Sequence, residues 1–174
     1  MKFDKKFYQE NFFKLDRYRV SAEKAAHNEP EYNEASLKIT VPKRNVRGSV
    51  QKRYLAEYQP ENADYISLTA TATGDGTVDA LDRALRRLLE PLYPFLKHVR
   101  LIRYGVDNQT SEGTAALVQV FILASNKDGK LYFSEVPSVS VVEASFFALS
   151  NIYNRYFKDY YLQAKQCTKS AEKE

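Results

Sequence analysis

Ala35, Leu37, Ile39 and Val41 alternate with Ser36, Lys38 and Thr40, a period of two that predicts a strand with one buried and one wet face, ended by Pro42. The same alternation returns at Ile66, Leu68, Ala70 and Ala72 within Tyr65 to Thr73. Phe12 to Ser21 is rich in aromatic and β-forming residues but less regular, and reads as a strand with a bulge. His27 to Asn33 reads as a loop between these strands, and Lys43 to Asp64, which loses periodicity, as an insertion forming a long hairpin connection. After Gly74-Asp75-Gly76 the spacing changes to helical, with Val78, Leu81, Leu85, Leu88 and Leu92 on one stripe and Arg83, Arg86 and Arg87 off it. Pro91 and Pro94 place the end of that helix near residue 90.

The plan then repeats. His98 to Asp107 reads as a strand, Thr114 to Ser125 as a strongly apolar one, and Asn126-Lys127-Asp128-Gly129 as a turn whose return strand is Lys130 to Val136. Ser140, with Glu143 three residues on, has the spacing of a capping box, and Phe146, Leu149, Ile152, Tyr153 and Phe157 follow along one side of the second helix. The order is strand, strand, strand, helix, twice. Lys14-Leu15-Asp16-Arg17-Tyr18-Arg19-Val20 lines up with Arg100-Leu101-Ile102-Arg103-Tyr104-Gly105-Val106, four positions of seven being identical. Val78-Asp79-Ala80 with Ala84-Leu85 likewise matches Val142-Glu143-Ala144 with Ala148-Leu149. The expected fold is therefore α+β: two βββα repeats with pseudo-two-fold symmetry, antiparallel strands packed on two helices. One repeat alone is not expected to cover its own apolar sheet face; two packed together would, and the residual apolar surface favours a symmetric dimer. Residues 1–11 and 163–174 read as a flexible N-terminus and a polar tail around a domain of residues 12–162, its units spanning about 12–94 and 98–160.

Composition narrows the function. The chain has 174 residues, enough for one sizeable core, and 26 Lys+Arg against 22 Asp+Glu leave a net charge of only +4. Lys43, Arg44, Arg47, Lys52 and Arg53 form a basic segment, yet that small total favours a solvated loop over a nucleic-acid surface. One cysteine excludes an internal disulfide framework, and no long apolar span or leader-like start is present, so a reduced, cytoplasmic, soluble protein is expected. His27 and His98 lie in unrelated contexts, and neither metal-ligand spacing nor a complete phosphate-binding loop occurs, so no metal, cofactor or catalytic centre is expected. Cys167 reads as an incidental thiol. The Gly74-Asp75-Gly76 turn offers two glycines where backbone can approach another group closely, beside helix-start N–H groups that favour a carboxylate.

Thr73-Gly74-Asp75-Gly76-Thr77-Val78-Asp79-Ala80 resembles the Gly-x-Gly-Pro-Val-Asp-Ala signature of the C-terminal regulatory domain of 2-isopropylmalate and citramalate synthases. Arg103-Tyr104, Glu112 to Ala116, Gln119-Val120 and Val141 to Ser145 stand in that family's order, so the resemblance runs from about residue 12 to 160. It implies a dimer of βββα pairs that binds leucine or isoleucine as a feedback effector and acts on a catalytic synthase partner, without chemistry of its own. Transferred by position, the effector site would comprise Gly74, Gly76, Val78, Asp79, Leu101, Tyr104, Asn108, Thr114, Ala116, Pro137 and Val139. Apolar side chains would hold the aliphatic group, helix-start amides the carboxylate, and Asp79 or a backbone carbonyl the ammonium. Thr77 stands where the family has proline, and Glu135 brings a charge where the family has room. The alternatives are a ligand-free dimerisation or interaction module and, less favoured, a nucleic-acid binder using residues 43–53.

Overall fold

A computed structural model describes residues 12–24, 31–46, 48–55, 63–108 and 116–171. The chain divides into two compact units, Met1–Lys97 and His98–Glu174. In the first, β1 (Lys14–Glu23), β2 (Tyr32–Pro42) and β3 (Tyr65–Gly74) form an antiparallel sheet in the order β1-β2-β3. Two helices accompany it, α1 (Gly48–Tyr54) and α2 (Thr77–Leu89). The predicted bulge is real: the β1–β2 register shifts between Leu15 and Arg17. Register then puts Ala35, Leu37, Ile39 and Val41 opposite Ala72, Ala70, Leu68 and Ile66 on one face, all buried. Helix α2 lies over this face at β2 and β3 with Ala80, Leu81, Ala84, Leu85, Leu88 and Leu89 buried. Each fully buried leucine there contributes about 1.5–3 kcal/mol of transfer free energy.

After α2 the chain is tied back by Tyr93, which is fully buried. Its hydroxyl accepts from Asn45 Nδ2 at 3.0 Å and donates to the Phe12 carbonyl at 3.2 Å, so one side chain joins three distant segments. Phe12 also meets the Tyr93 ring edge-on at 5.8 Å.

The second unit repeats the order with β4 (Arg100–Asn108), β5 (Val118–Ser125), β6 (Leu131–Ser138) and α3 (Val141–Ala171). Its sheet is antiparallel, β4-β5-β6, and the register again shifts between Leu101 and Arg103, the residues that align with Leu15 and Arg17. Val120, Ile122 and Ala124 are buried under α3, which lies against β5 and β6. The β5–β6 turn uses Gly129 at φ 80°, and the Asn126 side chain accepts from the Asp128 and Lys130 N–H groups at 3.0 and 2.9 Å.

The two βββα units are as expected, but several boundaries move. The loop expected over His27 to Asn33 ends earlier, because β2 starts at Tyr32 and pairs Asn33 with Ala22 and Gly74. The hairpin connection after Pro42 contains a 3-10 turn (Lys43–Asn45) and α1; Val50 of α1 is buried and Leu55 bridges to Leu68, so tertiary contacts order a segment without periodicity. β5 starts at Val118 rather than Thr114, which lies outside the described residues together with the expected flexible residues 1–11. Helix α3 continues through the expected polar tail to Ala171.

Candidate functional site

In the first unit β3 ends at Gly74 and α2 begins three residues later, so Gly74, Gly76, Val78 and Asp79 come together in one tight turn. Of the two glycines only Gly74 is demanded by packing. A Cβ on Gly74 would stand 2.3 Å from the backbone nitrogen of Ala80 and 2.7 Å from Asp79 Oδ2, whereas one on Gly76 would meet nothing within 4 Å. Gly76 is the N-cap, in extended backbone at φ −159°, and has no side chain to offer the helix. The Ala80 N–H reaches the Gly76 carbonyl at 2.9 Å, and the Thr77, Val78 and Asp79 N–H groups of the first turn have no intrahelical acceptor and no side-chain cap from Gly76. These are the bare positive end of a 13-residue helix.

Asp79 is committed elsewhere. Its Oδ2 accepts the Asp75 N–H at 2.9 Å and pairs with Arg83 at 2.8 Å, while Arg83 also reaches Asp75 at 3.5 Å. The carboxylate expected to meet an ammonium group thus closes its own turn.

The second unit handles the same junction differently. Ser138, which aligns with Gly74, donates its hydroxyl proton to Glu143 Oε2 at 2.7 Å and accepts the Ser140 N–H at 3.1 Å. Ser140 Oγ accepts the Glu143 N–H at 3.3 Å, as the capping-box spacing anticipates. Helix α3 therefore starts with a side-chain cap, Ser140 Oγ on the Glu143 N–H, where α2 has none.

The remaining predicted residues lie in this second unit and do not form one cluster. Leu101, Tyr104 and Asn108 stand along β4 on the face shared with buried Ala124, Ile122 and Val118's row, and the Tyr104 hydroxyl lies 3.2 Å from Ser145 Oγ. Ser145 in turn donates to the Val141 carbonyl at 2.7 Å. Helix α3 lies mainly against β5 and β6, and although Ser145 meets the Tyr104 hydroxyl, Leu101, Tyr104 and Val106 remain exposed, as does Ile102 at the bulge. Pro137 pairs with Gln119 and so points to the opposite face, Val139 is 68% exposed beyond the strand, and Ala116 precedes β5. Thr114 lies outside the described residues. Glu135, opposite Phe121, is exposed on that same opposite face, away from the Tyr104 row.

One polar side chain at the first junction was hidden by the loop reading. Asn33 is only 1% exposed, and neither Nδ2 nor Oδ1 has a hydrogen-bond partner among the described residues. Its position opposite Gly74 was legible only once the β2 register was known.

The basic segment is spread over separate elements: Lys43 and Arg44 in the 3-10 turn, Lys52 and Arg53 on α1, with the Arg53 guanidinium 5.3 Å from the Tyr54 ring centre. Arg47 lies outside the described residues. Among the described residues no group of three metal-binding side chains occurs, and no helix is long and apolar enough to cross a membrane.

Comparison with known proteins agrees with this geometry. Residues 2–157 match the LeuA allosteric (dimerisation) domain. The chain is 32% identical over 152 residues to the (R)-citramalate synthase of Aquifex aeolicus, covering 86% of this chain and 24% of that protein. It is 31% identical over 139 residues to the (R)-citramalate synthase of Geobacter sulfurreducens, covering 79% of this chain and 22% of that protein. The Streptomyces coelicolor (R)-citramalate synthase is 38% identical over 87 residues, 49% of this chain and 16% of that protein. The chain thus spans about a quarter or less of the curated relatives it matches, and it belongs to the LeuA allosteric (dimerisation) domain family.

Proposed function

We propose that this allosteric-family domain is a non-catalytic cytoplasmic sensor that binds a small branched-chain amino acid, leucine or isoleucine, and transmits its occupancy to the catalytic part of a citramalate or isopropylmalate synthase. The observation that carries this reading is the start of α2 without a side-chain cap, set against the serine-capped start of α3 in the same chain. Three first-turn N–H groups with the helix dipole behind them match a carboxylate, and the small Gly74-Asp75-Gly76 turn lets it come close. Apolar residues exposed on β4, Leu101, Tyr104 and Val106, suit the partner copy of a homodimer. Glu135 lies on the other sheet face and does not oppose either role.

Allosteric action requires the effector to bind two states of the synthase unequally. Titration calorimetry of the chain with leucine, isoleucine and valine is expected to show saturable heat with at least one. Sedimentation is expected to show a dimer. Absence of heat with all three would leave the chain as a ligand-free assembly module.

A further inference from the structure

We infer that Asn33 is the polar anchor of the effector site: a neutral carboxamide, rather than the Asp79 carboxylate, fixes the head group of a 2-amino acid at the start of α2. This rests on the effector-binding reading above and adds to it a residue and a bonding scheme.

Five observations converge. Asn33 lies on β2 directly opposite Gly74, and cross-strand partners present side chains on the same face. That face is the one covered by α2, since a Cβ on Gly74 would run into Ala80 and Asp79. The Asn33 side chain therefore abuts the first turn of α2, with only Gly74 on one side and Ala22 on the other. There it is 1% exposed with both polar atoms unpartnered among the described residues, a state that buried amides rarely keep. The adjacent helix start has no side-chain cap. Asp79, the competing candidate, already holds Arg83 and the Asp75 N–H.

The repeat supplies an internal control. In the second unit Val118 pairs with Ser138 as Asn33 pairs with Gly74, so the position equivalent to Asn33 is apolar where the helix start is capped. The carboxamide and the bare helix end occur together; the valine and the dressed helix end occur together. A carboxamide carries an amide N–H donor and a carbonyl acceptor, complementing a head group with one anionic oxygen pair and one ammonium. With the carboxylate on the Thr77, Val78 and Asp79 N–H groups, Nδ2 donates to a carboxylate oxygen and Oδ1 accepts from the ammonium.

The test compares the full chain with Asn33→Leu, close in volume and apolar, and the isosteric Asn33→Asp, by calorimetry with leucine, isoleucine and valine, folding being checked by circular dichroism. Affinity is expected to fall about 10- to 100-fold in Asn33→Leu, the range for losing hydrogen bonds to charged groups. Asn33→Asp, which sets an anion beside the ligand carboxylate, is expected to lose at least as much, and it decides alone if Asn33→Leu does not fold. Unchanged affinity in the folded variants overturns the role of Asn33 and leaves the effector reading standing, as does a liganded crystal in which the carboxamide meets only water. Wild-type protein that binds none of the three amino acids overturns the effector reading and this inference with it.

Discussion

The two βββα units share strand order, antiparallel pairing and even the site of the bulge, between Leu15 and Arg17 in one and between Leu101 and Arg103 in the other. They part company in what surrounds that frame. Opposite the α2 side, the first sheet carries Arg17, Arg19, Ser36, Lys38, Thr69 and Thr71, which line an open depression of about 550 Å³. The equivalent face of the second sheet carries Phe121, Leu123 and Phe133, with the Phe121 ring lying over Gly105. One helix start is bare and the other capped. The repeated features are those a three-stranded sheet under a helix needs to fold; the divergent ones are free to serve a ligand or a partner.

If the shared frame is what holds each unit together, equivalent core truncations should hurt equally and most. Leu85 and Leu149 occupy matching positions and are both fully buried. Leu85→Ala and Leu149→Ala should each cost the unit they belong to about 2–5 kcal/mol, the range for deleting a buried leucine side chain. Chemical denaturation read by circular dichroism checks this, and a large inequality between them would break the equivalence of the two cores.

Glycine substitutions come next and should separate the units. At Gly74 the obstruction is the backbone of Ala80, which cannot move without shifting α2, so Gly74→Ala should cost on the order of 3 kcal/mol and disturb the proposed effector site. At Gly105 the obstruction is the far end of the Phe121 ring, 2.1 Å from the added carbon, which can swing away, so Gly105→Ala should cost about 1 kcal/mol. Thermal melts of the two variants give the order, and a Gly105→Ala loss exceeding that of Gly74→Ala would refute it.

Much of this frame could be read from the residues alone, because period-two and helical stripes are set by local geometry. Ile39 and Leu68, or Leu81 and Leu85, declare their faces without any neighbour. The Gly74 to Asp79 turn was equally legible, down to the glycines. What escaped depended on partners distant in sequence. Asn33 looked like loop because a polar residue there breaks the apolar row that begins at Ala35, and only pairing with Ala22 and Gly74 makes it strand. Tyr93 gave no hint that it bonds Asn45 and Phe12. Asp79 suggested a ligand group until Arg83, one helical turn on, proved to hold it. Pro137 followed the same pattern, its face being decided by β5 register rather than by its neighbours in the chain.

The helix starts allow a smaller, reciprocal test. Ser140→Ala removes the hydroxyl that caps α3 and should cost about 1 kcal/mol. Gly76→Ser supplies α2 with a cap, in extended backbone where a Cβ meets nothing, and should stabilise the first unit by a few tenths of a kcal/mol. Because the new hydroxyl takes an N–H group assigned to the effector carboxylate, the same change should weaken effector binding. Greater stability with undiminished affinity in Gly76→Ser would separate the bare helix end from the site.

The smallest effect at neutral pH belongs to a cluster at the far end of the second unit. Burial, then a hydrogen bond to Asp159 and its charge, push the Tyr132 hydroxyl above its ordinary value of 10.0, and burial followed by neighbouring charge raises Tyr156 as well. Lys130 pairs with Asp159 at 2.6 Å, and the Tyr132 and Tyr156 rings meet edge-on at 5.6 Å. A tyrosine whose folded value is raised ionises first in the unfolded chain, so above pH 10 the unfolded state holds fewer protons and folding stability declines as pH climbs. Below pH 10 both states are protonated, so stability stands at its full value and does not vary with this group. Tyr132→Phe removes one titrating group, so denaturant midpoints followed from pH 8 to 11 should fall less steeply than in the wild type, with only the lost hydrogen bond, about 1 kcal/mol, visible at pH 8. Parallel curves for the two proteins above pH 10 would show that Tyr132 carries none of the alkaline sensitivity and that the second unit's distinctive far end is ordinary packing.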